Sequence, residues 1–341
     1  MTGAAEQGGA RERPLVTIAI PLYKRLDFLP GVLGSVAGQD YPAIELLVSD
    51  NGENDPGLRD LVARHYEGPF TFRRNATTVP MSVHFNQLVE SAAGEYFVLL
   101  CDDDEIRPGF VSSLVSALQE GPEIGVAIPL VELMAEDGGT LSAEEVSALP
   151  YAMADPDRLP PDKMTGTEFV RLWVDGSGRF TSFVTTMART GDILAAGGYP
   201  TIPTGDDDAV VLRLALGRKV AYCKDAVFRL RAYEASEGLA MSPWELAADI
   251  KSWLEFLDSD PFLQRYSAEH PTEWAEVRAL MRAKAWRTYR HRWKTMYRRR
   301  MGLFSWLRAG FALPYIPEYY RWLARYLVRL GLSSTKRVIR A

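Results

Sequence analysis

Three consecutive aspartates, Asp102, Asp103 and Asp104, directly follow an apolar stretch at residues 96–101. A continuous apolar run of this length is typical of a strand in the middle of a parallel sheet, buried on both faces. Ligands bind at the carboxyl ends of such strands. Three adjacent carboxylates repel one another unless a cation or hydrogen bonds compensate them. Because Mg²⁺ and Mn²⁺ prefer carboxylate and phosphate oxygens, we predict a metal site here; a polar loop or a helix N-cap is the alternative.

A second acidic cluster, Asp206, Asp207 and Asp208, stands at the start of a segment with helical periodicity. Acidic side chains cap helices and stabilise their first turn, so a structural role is one explanation. The other explanation is a general base, which removes the proton from an attacking hydroxyl group. The residue types alone leave both open.

A third polar group, Asp50 and Asn51, follows the apolar stretch at residues 44–49 and precedes Gly52. Asp-Asn-Gly is a turn sequence that needs no further function. A carboxylate and an amide at a strand end can equally read the polar edge of a nucleotide base.

The elements that position these residues alternate between strands and helices, which predicts an α/β, doubly wound arrangement. The pattern predicts strands at 15–21, 44–49, 70–72, 96–101, 125–129, 181–188 and 220–223, and helices at 26–37, 58–66, 83–93, 168–174 and 208–216. Residues 136–163 are rich in Pro, Asp and Ala and predict a long excursion from the sheet. Beyond residue 236 the pattern predicts helices without strands.

Four segments in this order resemble family-2 glycosyltransferases: VTIAIPLY at 16–23, LLVSDNG at 46–52, Phe85-Asn86 with AGEY at 93–96, and LLCDDD at 99–104. The resemblance implies the GT-A fold, a nucleotide-binding domain whose mostly parallel twisted sheet is flanked by helices. We expect this domain at 15–235, after a disordered tail at 1–14. A helical, basic-aromatic C-terminal extension is expected at 236–341.

The resemblance also implies a donor site. It places the following residues around the nucleotide: Pro21, Tyr23, Asp50, Asn51, Asn86, Asp102 and Asp103. Asp104 is expected to be the direct ligand of Mn²⁺ or Mg²⁺, with Asp102 as a second metal ligand beside the ribose. Cys101 stands where many relatives have the first Asp of a longer acidic element.

The acceptor side follows from the same resemblance. Asp207 aligns with the presumed catalytic base, and Asp206 stands where the family usually has Glu. A base opposite the leaving group implies one in-line displacement with inversion. Arg231 lies in the position of an Arg-x-His element, with Tyr233 in place of the His. It is expected to bind phosphate oxygens, although a salt bridge to the acidic body is the alternative.

The net charge of −5 conceals two opposite regions: residues 282–341 carry 16 Lys/Arg and one acid, and the rest carries 23 basic and 43 acidic residues. Tryptophan and tyrosine alternate with the basic residues of this tail. Such a pattern favours an anionic membrane surface. Docking onto the acidic body is the second interpretation, and nucleic acid is disfavoured because no recognition motif is present.

Two cysteines permit at most one disulfide, and neither a secretory signal nor a membrane-spanning run is evident. We therefore expect a cytoplasmic protein, peripheral on the inner membrane face. The expected function is transfer of a sugar from a nucleoside-diphosphate sugar to a hydroxyl acceptor, for which a lipid-linked molecule is one candidate, in the synthesis of a cell-surface glycan or a glycosylated metabolite. The alternatives are a nucleotidyltransferase and a non-catalytic sugar-nucleotide-binding scaffold.

Overall fold

The structure is a computed structural model that describes residues 13–52, 56–148, 159–176, 182–202, 205–232 and 243–292, together with Arg325. Its strands are β1 (Val16–Leu22), β2 (Ile44–Asp50), β3 (Phe70–Arg74), β4 (Tyr96–Leu99), β5 (Glu105–Ile106), β6 (Ile124–Met134), β7 (Lys163–Thr165), β8 (Met187–Arg189) and β9 (Lys219–Arg231). Its helices are α1 (Leu29–Ala37), α2 (Leu58–His65), α3 (Met81–Ser91), α4 (Phe110–Leu118), α5 (Ala143–Ala148), α6 (Gly166–Asp175), α7 (Thr190–Ala195), α8 (Asp206–Ala215), α9 (Pro243–Ser259), α10 (Pro261–Glu269) and α11 (Pro271–Arg292).

The strands form one mixed sheet in the order β3-β2-β1-β4-β8-β6-β9-β5, with β7 paired to β9. Strands β3, β2, β1 and β4 run parallel to one another, as do β6 and β9. Between these two parallel groups, β8 is antiparallel to both β4 and β6. The predicted α/β fold with a sheet flanked by helices is confirmed, and the carboxyl ends of β1, β2 and β4 lie at one edge, where the sequence places its polar residues.

The turn before β4 requires a glycine because the chain approaches β1 closely there. A Cβ atom on Gly94 would lie 2.5 Å from the backbone nitrogen of Thr17. The N–H of Gly94 donates instead to the Thr17 hydroxyl at 2.9 Å. This contact fixes the register of β4 beside β1 and therefore the position of the acidic loop that follows β4.

Several sequence predictions differ from the structure. Helix α4 was not predicted; it begins after Gly109, whose φ of 85° is in the left-handed region that favours glycine. The predicted strand at 181–188 is reduced to β8, since residues 182–186 are not in a strand. The excursion at 136–163 contains α5 and the first residue of β7, while its residues 149–158 lie outside the described part of the chain.

The helical extension shares its hydrophobic core with the sheet. Buried side chains of α9 and α11, including Leu246 and Met281, belong to the same cluster as Val126 and Tyr222 of the sheet. In addition, Arg213 of α8 forms a buried ion pair with Asp260, with Nη2 and Oδ2 2.5 Å apart. The division of the chain at residue 235 therefore stays a prediction from composition.

The basic tail is described only at its beginning. Within α11, Arg282, Lys284 and Arg287 pair with Asp258, Asp208 and Asp175. Docking onto the acidic body is thus the arrangement of these three cations. Residues 293–341, apart from Arg325, and residues 1–12 of the expected N-terminal tail lie outside the described residues. No described helix combines the length and the apolar character that crossing a bilayer requires.

Candidate active site

The acidic loop after β4 is held by groups from three directions. The backbone N–H of Tyr23, after β1, donates to Asp102 Oδ2 at 2.9 Å. Arg25 Nη1 lies 2.7 Å from Asp103 Oδ2. The backbone N–H of Arg231, at the end of β9, donates to Asp104 Oδ1 at 2.9 Å. All three aspartates are buried, so the sheet converts three adjacent residues into one enclosed anionic site.

The Arg231 side chain holds the backbone around this loop. Its Nε donates to the Asp103 carbonyl at 2.6 Å, and its Nη1 donates to the Glu136 carbonyl at 2.6 Å. The guanidinium carbon also lies 4.5 Å from the ring centre of Phe28. These contacts, with an ion pair to Glu105, favour a positioning role. Contact with a phosphate stays a prediction.

The residues of this loop fit a divalent cation. Ligand atoms of Cys101, Asp103 and Asp104 all lie within 4.8 Å of one another. The sequence prediction chose Asp104 and Asp102, so the geometry brings in Asp103 and Cys101 beside Asp104. Burial raises the pKa of Asp104 well above its usual range, and the Asp103 carboxylate raises it further. Burial likewise raises the pKa of Asp102 to about 7, because it disfavours the ionised carboxylate. A bound cation would favour the ionised form.

The predicted base-reading residues are tied to their own surroundings. The carboxylate of Asp50 is fully buried, with Oδ2 2.5 Å from Arg74 Nε, and its Oδ1 accepts the Gly52 N–H. The Asn51 amide donates to the Val79 carbonyl, and its oxygen accepts the Val79 N–H. The Asp50 carboxylate is therefore engaged by Arg74 and Gly52, and Asn51 holds the segment before α3. Contact of either residue with a nucleotide base stays a prediction.

Two other predicted donor residues, Pro21 and Tyr23, lie at the end of β1 and directly after it. Pro21 pairs with Ser49 in the β1–β2 register, and the Tyr23 hydroxyl accepts a hydrogen bond from Lys24 Nζ at 2.9 Å. Both ends of the Asn86 side-chain amide bind the backbone of Tyr199: its nitrogen donates to the Tyr199 carbonyl, and its oxygen accepts the Tyr199 N–H. It thus links α3 to the segment that precedes α8.

The second acidic cluster forms the first turn of α8, which begins after Gly205, a residue with φ 113°. Helix α8 starts two residues earlier than predicted, and no side chain caps it. Asp206 Oδ1 accepts the Asp207 N–H at 3.0 Å. Its Oδ2 is buried and has no hydrogen-bond partner within the described part of the chain. The capping explanation therefore does not account for Asp206.

The two first carboxylates of this cluster have unusual titration properties. Burial raises the pKa of Asp206 to about 8, and the charge of Asp207 adds to the shift. Burial also raises the pKa of Asp207 to about 6, with a further contribution from Asp208. Asp207 Oδ2 accepts the N–H of Phe183 at 3.2 Å. The two carboxyl groups therefore ionise less readily than exposed aspartates, and a general base in this pair must be the ionised member.

Sequence reasoning missed three cations at these clusters: Arg25, Arg74 and Lys284. Arg25 lies three residues after β1, and Arg74 is the last residue of β3. A cation at the end of a strand beside acidic strand ends is the sequence signal that marks both. No local signal marks Lys284, because it is 76 residues from its partner Asp208.

A family model for glycosyl transferase family 2 matches residues 17–160. Among curated proteins, the chain is 27% identical over 111 residues to a GalNAc(5)-diNAcBac-PP-undecaprenol beta-1,3-glucosyltransferase of Campylobacter jejuni, an alignment that covers 32% of this chain and 36% of that protein. It is 27% identical over 114 residues to abequosyltransferase RfbV of Salmonella typhimurium, covering 32% of this chain and 34% of the relative. The chain thus matches about a third of the length of these relatives.

Solved structures with the same fold are more distant in sequence but match more of the chain. S. aureus TarS 1-349 in complex with UDP-GlcNAc has a TM-score of 0.57 at 15% identity, covering 88% of this chain and 82% of that one. Mannosyltransferase PcManGT from Pyrobaculum calidifontis, in complex with GDP-Man and Mn²⁺, has a TM-score of 0.55 at 16% identity, covering 96% and 83%. Residues 17–160 are therefore similar to glycosyl transferase family 2, and the fold is that of GT-A transferases.

Proposed function

We propose that this protein is an inverting, metal-dependent glycosyltransferase that moves a sugar from a nucleoside-diphosphate sugar to a hydroxyl acceptor. One observation carries the proposal: Cys101, which directly precedes the acidic loop, and the carboxylates Asp206 and Asp207 lie near the same buried tyrosine, Tyr199. Burial raises the pKa of the Tyr199 hydroxyl well above its usual range, and the charges of Asp206, Asp207 and Cys101 raise it further. The acidic loop after β4 and the first turn of α8 are therefore close enough to act on one substrate.

In this mechanism, Asp207 receives the proton of the acceptor hydroxyl. The hydroxyl oxygen then attacks the anomeric carbon of the donor sugar as the bond from that carbon to the diphosphate oxygen breaks. Because attack and departure occur on opposite faces, the configuration at the anomeric carbon inverts. The products are the glycosylated acceptor and a nucleoside diphosphate.

The donor side would hold the nucleotide and its metal. Asp103 and Asp104, with Cys101 beside them, would hold Mn²⁺ or Mg²⁺, and Asp102 would lie near the ribose. When bound, such an ion supplies positive charge to the departing diphosphate. Asp50 with Arg74 would orient the base. The complexes of the structural neighbours with UDP-GlcNAc and with GDP-Man and Mn²⁺ support this donor class.

We propose the acceptor and the location of the protein from the name of one relative and from the basic residues near the end of the sequence. One curated relative is named for an undecaprenol-linked substrate, which supports a lipid-linked acceptor and a cytoplasmic protein at the inner membrane face. The basic residues beyond α11 would contact anionic lipid. The pathway that fits such an acceptor is the assembly of a cell-surface glycan.

The test is calorimetric titration with a panel of nucleoside diphosphates and their sugars, with and without Mn²⁺. We expect one nucleotide to bind only when metal is present, and we expect Asp104→Asn to lose this binding. The matched control is Asp60→Asn, an exposed acid on α2, which should bind as the unmodified protein does.

Other results would identify a different function. Binding of no nucleotide, or equal binding by Asp104→Asn, would contradict the donor site. Pyrophosphate release from a sugar phosphate and a nucleoside triphosphate would identify a nucleotidyltransferase. Nucleotide-sugar binding without turnover, with water or any added acceptor, would identify a scaffold.

A further inference from the structure

Lys284 of α11 places its ammonium group against two other helices at once. Its Nζ lies 2.7 Å from Asp208 Oδ2, in the first turn of α8. The same Nζ lies 3.7 Å from the ring centre of Trp173, on α6. Both partners of the ion pair are about a quarter exposed, with side-chain exposures of 23% and 24%. The lysine is thus held by a charge on one side and an aromatic face on the other.

Lys284 contacts α8, the helix that carries Asp207, and α6, which is connected to Asp207 through Phe183. On one side, Asp208 is the next residue along α8. On the other side, Trp173 packs edge-on against Phe183, with ring centres 4.9 Å apart. The N–H of Phe183 donates to Asp207 Oδ2. A movement of the lysine would therefore reach Asp207 by two separate routes.

We propose that Lys284 is a positioning residue for Asp207, through which the helical extension becomes part of the acceptor side of the active site. The inference rests on the proposed role of Asp207 as the base. It assigns a function to α11, which lies well outside the matched residues 17–160. The lysine fixes the first turn of α8 and the Trp173–Phe183 pair, and so keeps the carboxylate of Asp207 aimed in one direction.

The charges around Asp207 give this arrangement a measurable consequence. Asp206 and Asp208 face it from α8, Lys284 faces it from α11, and the Tyr199 hydroxyl lies near it in the preceding segment. Asp208 raises the pKa of Asp207 and Lys284 lowers it. Lys284 supplies the charge that balances Asp208, since the two groups are 2.7 Å apart.

The experiment compares three variants of the full chain. Lys284→Met removes the charge but keeps an apolar side chain of similar length against Trp173. Lys284→Arg keeps the charge. Arg278→Met is the matched control, since Arg278 is a cation of the same helix that pairs with Asp258 at 2.6 Å, away from the site. The carboxyl titration of Asp207 is followed by NMR of [4-¹³C]aspartate-labelled protein, with its signal assigned by its absence in Asp207→Asn.

We expect the titration midpoint of Asp207 to rise by about one pH unit in Lys284→Met. It should stay unchanged in Arg278→Met and nearly unchanged in Lys284→Arg. Release of nucleoside diphosphate from UDP-GlcNAc or GDP-Man with Mn²⁺ should show a lower kcat with an unchanged donor KM. A thermal melt of each variant checks that it is folded, and Lys284→Gln, which also removes the charge, carries the comparison if Lys284→Met is not.

A midpoint in Lys284→Met equal to that of Arg278→Met would overturn the inference, as would full activity with an unshifted pH profile. Failure of the proposed function looks different: the unmodified protein would release no nucleoside diphosphate from any donor. In that case the midpoints still decide whether Lys284 acts on Asp207.

Discussion

The two carboxylate clusters of this protein are balanced in different ways. The donor cluster at 102–104 is held by Tyr23, Arg25 and Arg231, which lie at the ends of strands β1 and β9. The acceptor cluster at 206–208 has one unpartnered buried oxygen, on Asp206. Its cation, Lys284, comes from the C-terminal helix α11. The donor cluster is thus a product of the sheet, whereas the acceptor cluster depends on a helix added after it.

This difference separates what the family domain supplies from what the extension supplies. A metal and nucleotide site can be built wherever several strands end at one edge, because their backbone groups converge there. A base for the acceptor must also keep its charge while buried, which requires a nearby cation. Lys284 of α11 is a cation beside Asp208, so under the proposed mechanism we expect changes in the two clusters to separate donor binding from catalysis.

The largest expected effect is that of Asp207→Asn. We expect kcat to fall by about 10²- to 10⁴-fold, the usual contribution of a general base, while donor affinity stays unchanged. The change is isosteric, so calorimetry with the donor and steady-state transfer rates can be measured on the same folded protein. Asp225→Asn, an exposed acid on β9, is the control. Undiminished transfer by Asp207→Asn would remove the assigned base.

A smaller effect is expected on the donor side from Arg231→Lys. The single ammonium group of lysine cannot keep both carbonyl contacts that the guanidinium of Arg231 makes to Asp103 and Glu136, so we expect Mn²⁺ affinity to fall by about 10- to 100-fold, as for other groups that orient metal ligands. The Asp207 titration should not change. Arg107→Lys is the control, because Arg107 pairs with Glu132 on the surface, at 47% exposure. Equal Mn²⁺ affinity in both variants would show that the loop holds itself without Arg231.

The smallest effect concerns pH. Under the proposed mechanism Asp207 acts only when ionised. Its pKa is raised from 3.8 to about 6, so in the folded protein it still holds its proton at pH values between these two, where an exposed Asp would be ionised. We expect kcat/KM to fall about tenfold per pH unit below that value and to level off above it. The residual rate of Asp207→Asn should lack this limb. A profile of the unmodified protein that stays flat down to pH 5 would indicate that another group accepts the proton.

Much of the donor half followed from local pattern. The apolar runs of β1, β2 and β4 each end at a polar residue, and alternation with α1, α2 and α3 leads to a parallel arrangement. Helix α4 was not predicted although its sequence is apolar and helical in period; it begins at Phe110, directly after a glycine in the left-handed region. Strand β8 was placed too early, since its three residues are defined by pairing with β4 rather than by their own composition.

The sequence by itself predicted the resemblance to family-2 glycosyltransferases, the strands that precede carboxylates and the order of the two acidic clusters, because each depends on residues that are neighbours along the chain. Tertiary structure alone decided that Asn51 and Asn86 bind backbone groups of this chain, that Arg231 holds the acidic loop, and that Lys284 reaches Asp208. Burial and distance between residues far apart in sequence set the pKa of a carboxyl group and the partner of a cation. Those quantities exist only once the helices have packed against the sheet.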